Sequence, residues 1–144
     1  LMSILNSKFN VLRGWGIGQD SAVDLSKAWG TGLTFTPGTF GMVHTDGTII
    51  FPPAPSATEK PLVLVVQGNG TSEFDTNFVG KLLCLQGKLV IKTDVYVSAG
   101  LAVGGALGVD ASGRLVAAGA NLRVGFVLED NTAVDGTITA SIDI

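Results

Sequence analysis

Short apolar runs, each cut off by a glycine, a proline or an Asp-Gly pair before it reaches helix length, constrain this chain more than any other feature. Residues 33–35 alternate, Pro37–Gly38 is a turn, and 39–44 reads as a strand. Asp46–Gly47 then separates Met42–Val43 from the 48–51 run, a hairpin signal because tight turns need residues that tolerate positive φ. Pro52, Pro53 and Pro55 cannot donate to a sheet ladder, so an extended loop is expected to run to Lys60. Further strands are predicted at 61–67, 81–86, 88–93, 95–97, 106–109, 114–117, 123–128 and 137–142. Turns are expected at Gln86–Gly87, Ser112–Gly113, Asp130–Asn131 and Asp135–Gly136.

Many short strands at regular spacing predict an all-β fold, a β-sandwich or barrel. The first 31 residues differ. Residues 1–19 hold no stable period and are punctuated by Gly14, Gly16 and Gly18, which predicts an extended N-terminal arm. One short helix is expected after it, with Asp20 as N-cap, Val23, Ala28 and Trp29 at partial helical spacing, and Gly30 to end it. A β domain then covers 32–144. Within it, glycine, strand, hairpin, strand, loop, strand and polar turn follow in the same order twice, ending at Gly68–Asn69 and at Asp130–Asn131. Generic β punctuation and a duplication into lobes 32–70 and 95–144 both account for this order.

Charged residues make up 15% of the 144 residues and apolar ones 46%, against about 25% charge in ordinary soluble domains. Mean hydropathy is +0.45. Either lipid or protein partners would have to cover such a surface. The apolar runs 62–66 and 101–109 fall far short of the roughly 20 residues that a spanning helix needs, and a transmembrane barrel needs more strands. Burial against protein partners is therefore expected, with no membrane. Net charge is −3 and Lys and Arg do not cluster, so direct nucleic-acid contact through phosphates is not expected. The start, 1–5, lacks the basic, apolar, small-residue order of a secretory signal, which points to a protein that stays in the cytoplasm where it is made.

Catalytic chemistry finds little purchase. His44 is the single histidine and has no nucleophile elbow beside it; Cys84 lies in the apolar run 82–85, where a small buried thiol is the simpler account. Glu73 with Asp75, and Glu129 with Asp130, read as solvated turn carboxylates rather than an acid–base pair or calcium ligands. The 14–18 glycines lack the Lys-Ser/Thr of a P-loop. No catalytic, cofactor-binding or metal-binding residue is assigned. Six residues are singled out as assembly contacts: Phe9, Trp15 and Trp29, since tryptophan is a frequent interface anchor, although core packing accounts for the tryptophans equally well, and Pro52, Pro53 and Pro55, whose loop is either a passive connection or a pre-ordered segment that loses little entropy on binding.

Residues 103–118, Val-Gly-Gly-Ala-Leu-Gly-Val-Asp-Ala-Ser-Gly-Arg-Leu-Val-Ala-Ala, followed by Val124–Gly125–Phe126–Val127–Leu128–Glu129 and a terminal strand over 136–142, resemble the C-terminal part of phage capsid decoration (cement) proteins. The resemblance covers about residues 95–144. It implies a non-enzymatic virion structural protein on the capsid surface, self-associated as a dimer or trimer. Its partner would be the major capsid protein, and its task to stabilise the mature head, with no cofactor. Competing expectations are a tail-tube or baseplate subunit, and a glycan-binding or hydrolytic β domain on the virion.

Overall fold

The computed structural model describes residues 8–14, 22–53, 62–69 and 81–144, with backbone alone for 22–26. Ten strands occur and no helix is present among the described residues. They are β1 (Asn10–Arg13), β2 (Ala22–Lys27), β3 (Phe40–Val43), β4 (Ile49–Ile50), β5 (Leu62–Gln67), β6 (Leu82–Thr93), β7 (Ala106–Val109), β8 (Leu115–Ala117), β9 (Gly125–Asn131) and β10 (Thr137–Asp143). One curled antiparallel sheet runs in the order β4-β3-β5-β6-β10-β9-β7-β8, and β1 and β2 also pair with β6. The all-β expectation, with barrel-like curvature, holds.

β6 organises everything else. A turn was expected at Gln86–Gly87, but the strand passes straight through, with Gly87 at a φ of 123° that other residues rarely adopt. The ladder explains this: residues 82–87 pair with β2 and β5, while 88–93 pair with β10 and β1. Those backbone bonds on both flanks outweigh the turn tendency of an isolated Gln-Gly.

Each half of β6 belongs to its own lobe, and the lobes share one register. Six β2–β6 pairs, from Ala22↔Gly87 to Lys27↔Leu82, correspond to six β6–β10 pairs, from Lys88↔Asp143 to Thr93↔Ile138. β3 pairs with both β4 and β5; β7 pairs with both β8 and β9. The register slips at Val66 in β5 and at Leu128 in β9, equivalent positions by their flanking pairs Val65↔Cys84 and Val127↔Ala140. A parallel bridge then ties the end of each lobe's first strand back to its hairpin, Trp29 to Ile49 and Tyr96 to Leu115. In the first lobe Ile49 N–H donates to Ala28 O at 2.8 Å and Gly30 N–H to Ile49 O at 2.9 Å; in the second, Leu115 donates to Val95 O and Val97 to Leu115 O. The repeating unit therefore spans 22–87 and 88–143, wider than the 32–70 and 95–144 expected from turns alone.

Two expectations for the first 31 residues are corrected. The helix predicted over 20–30 is strand β2 over 22–27, followed by the Trp29 bridge. Val23 and Leu25 alternate with Asp24 and Ser26, and this period of two, together with an open edge on β6, prevails over partial helical spacing. The arm is likewise part of the sheet where it is described, since Val11 pairs with Ile91 in β1. Residues 33–35 and 95–97 are not full strands. Asn69 holds the former in place of a ladder: Phe35 N–H donates to its Oδ1 at 2.6 Å and its Nδ2 donates to Leu33 O at 2.9 Å. Asp130–Asn131 completes β9, and the reversal falls at 132–136.

Inside the first lobe lie Phe35, Ile49, Val63, Val65, Leu82 and Cys84, with Phe35 stacked on Phe51 at 4.4 Å between centroids. The equivalent interior of the second lobe includes Leu107, Leu115, Val127, Ile138, Ala140 and Ile91. Alternation along β6 puts Leu85 on the outside of the first lobe and Leu89 and Ile91, on the same strand face, inside the second. The outer face of the first lobe is consequently part of one cluster with the second lobe's interior.

Volume is exchanged between paired positions. Gly41 lies opposite Val63 in the first lobe, and Leu107 opposite Gly125 in the second. A Cβ on Gly41 would come within 2.3 Å of the Ile49 side chain. Gly41→Leu should lower stability by about 1–3 kcal/mol through overpacking. Adding Val63→Gly, which copies the second lobe, should recover part of that loss in urea unfolding. A double variant no more stable than Gly41→Leu alone would contradict the equivalence.

Candidate assembly surface

The residues expected to make assembly contacts separate when placed on the fold. Phe9 is half-buried and packs on its own chain, its ring 3.1 Å from where a Cβ on Gly38 would stand. Trp29 is half-buried against the first lobe's core. Pro52 is buried and Pro53 exposed. Trp15 and Pro55 lie outside the described residues, as do Glu73 and Asp75.

A different set is exposed. Phe126 is 43% and Leu128 46% accessible on the outside of β9, and Val103 is exposed on the segment beside it. Gly104 N–H donates to Val127 O at 2.8 Å and Val127 N–H to Gly105 O at 3.0 Å, which fixes that segment against β9. Arg123 stands over the Phe126 ring, 5.3 Å from its centroid, a cation–π distance. An open hollow beside them is lined by Arg123, Val124, Gly125, Phe126, Asp143 and Ile144.

Comparison of the lobes makes this exposure informative. By register, Phe126 corresponds to Leu64 and Leu128 to Val66. Leu64 is fully buried and Val66 is 6% accessible, so the same sheet face is dry in one lobe and wet in the other. The sequence carried a signal for this: 124–128 is apolar at consecutive positions, as expected of a strand covered on both faces, rather than alternating.

The chemical groups behave as packing and turn residues. Cys84 is buried, and desolvation pushes its thiol up to about 12. His44 Nδ1 is 3.2 Å from Asp46 Oδ1, and both are exposed at the β3–β4 turn. Hydrogen bonds from the Thr48 hydroxyl and amide hold the Asp46 carboxyl down at about 2. Asp135 is held equally low, first by Lys92 at 2.7 Å and then by Thr137. Among the described residues no group of three or more His, Cys, Asp or Glu side chains could hold a metal ion. No described helix is long and apolar enough to cross a membrane. No family model, curated protein or solved structure matches the chain.

Two measurements check these assignments. Cys84 should resist a thiol reagent at neutral pH in the native protein and react at once in denaturant, because thiolate is the reactive form; rapid native labelling would contradict its burial. Asp46 and Asp135 are depressed from an ordinary 3.8, so the stability they contribute is complete above that value and is lost as pH falls towards about 2. Asp135→Asn should flatten the acid limb of a pH–stability curve in that window and leave its neutral limb parallel to that of the wild type.

Proposed function

We propose that this chain is a non-enzymatic virion structural protein, a capsid decoration protein that binds the lattice of the major capsid protein and stabilises the mature phage head. The observation that carries the proposal is the coincidence of the decoration-like motif with the exposed surface. Val103, Phe126 and Leu128, all within the residues that resemble decoration proteins, are also large apolar side chains left open to solvent. Interface cores are depleted in charge and enriched in aromatic residues, which suits a chain with so little charge.

The mechanism is mass action. A ligand that binds only the expanded lattice stabilises it by RT ln(1 + [L]/Kd) at every site, so modest site energies add over a whole shell. The sheet suits such a load because its strands are joined in one ladder through β6, and force applied to one lobe passes along continuous backbone to the other.

Co-sedimentation with expanded, protein-stripped heads and with unexpanded precursor heads tests the proposal. Saturable binding to expanded heads alone is expected. No binding to either, with assembly into rings or tubes instead, would overturn it in favour of a tail-tube subunit.

A further inference from the structure

The first lobe's outer face is covered within the chain, and the manner of its covering indicates what covers the second. Leu64 and Val66 lie in one apolar cluster with Val109 and Leu115, the residues that flank the β7–β8 turn. That turn itself docks on the first lobe: Phe40 N–H donates to Gly113 O at 2.8 Å, and a Cβ on Gly113 would strike the Phe40 carbonyl. Its counterpart in the first lobe is the 44–48 turn, closed by the same bonds. His44 N–H donates to Thr48 O and Gly47 N–H to His44 O, as Asp110 donates to Arg114 O and Gly113 to Asp110 O. On the 44–48 turn, by contrast, a Cβ on Gly47 would meet no atom within 4 Å among the described residues.

We infer that the outer face of β9 is a self-association surface, and that its occupant is the β3–β4 turn of a second copy of this chain. The contact would use the turn equivalent to the one that docks on the chain's own first lobe. Charge agrees with this pairing: the turn presents the exposed Asp46 carboxylate, and the face presents the Arg123 guanidinium beside Phe126. One detail differs from the internal contact. The strand edge at Ala106 is occupied by Ala118, whose N–H donates to Ala106 O at 3.0 Å, so the second copy meets the face rather than the edge. The two surfaces involved are different, so the contact is head-to-tail, closing into a ring where its rotation permits. The inference deepens the self-association of the proposed function and holds whether the assembly sits on a head or a tail.

Sedimentation equilibrium of the full chain tests it, using wild type, Leu128→Glu, Arg123→Asp, Asp46→Arg and the Arg123→Asp/Asp46→Arg exchange. Thermal melts monitored by circular dichroism establish that each variant is folded. Wild type should associate, each single variant should weaken association about tenfold or more, and the exchange should restore most of it. A monomeric wild type, association unchanged in Leu128→Glu, or an exchange no better than its parents would overturn the inference. Shell binding is read separately by co-sedimentation, so the two proposals can fail independently.

Discussion

The ladder on β6 is the interaction on which the rest of this structure depends. Each of its twelve residues pairs with β2 or β10, residues 83–85 and 90–92 pair on the other edge as well, and the strand contributes one half to each lobe. A strand shows opposite faces at alternate residues, so the face lining the second lobe is also the outer wall of the first. Neither lobe's packing can change without moving the other's. Gly87 lies at the junction of the two halves with a φ of 123° that other residues rarely adopt, and it keeps its place in the ladder opposite Ala22.

The repetition around β6 is one of register more than of residues. Equivalent pairs hold Leu with Ile, Val with Leu and Trp with Tyr, but also Gly with Leu, as at Gly41 and Leu107. What both lobes keep is the pairing order, the bulge in the third strand of each hairpin set, and the parallel bridge that ties the end of the first strand to the hairpin. These are backbone properties, which interior volume can satisfy in more than one way provided the total is conserved. The outer faces were not kept alike. The first lobe's is buried inside the molecule, and the second's displays Phe126 and Leu128.

Much of this was legible in the chain. Asp46–Gly47, Ser112–Gly113 and the valine- and leucine-rich runs place eight of the ten strands, because turn chemistry and burial act locally. The repeated order of strands was visible for the same reason. Its true extent was not, since 22–27 and 88–93 are equivalent only through their partners across the sheet. The helix expected over 20–30 failed on the same ground: local spacing was ambiguous, and an unpaired edge decided it. Of the aromatic residues near the start, Phe9 and Trp29 lie partly buried against the chain's own cores, the packing role that tryptophan offers beside anchorage. Phe126 and Leu128 were passed over because a buried strand and an exposed apolar strand look alike in sequence.

Radical footprinting of side chains, in dilute and in self-associated protein, tests the central claim most directly, because it reads the two faces at once. Leu64 and Val66 should be shielded in both conditions, while Phe126 and Leu128 should be modified when dilute and become shielded on association. Modification of Phe126 and Leu128 to the same extent in both conditions would contradict the account.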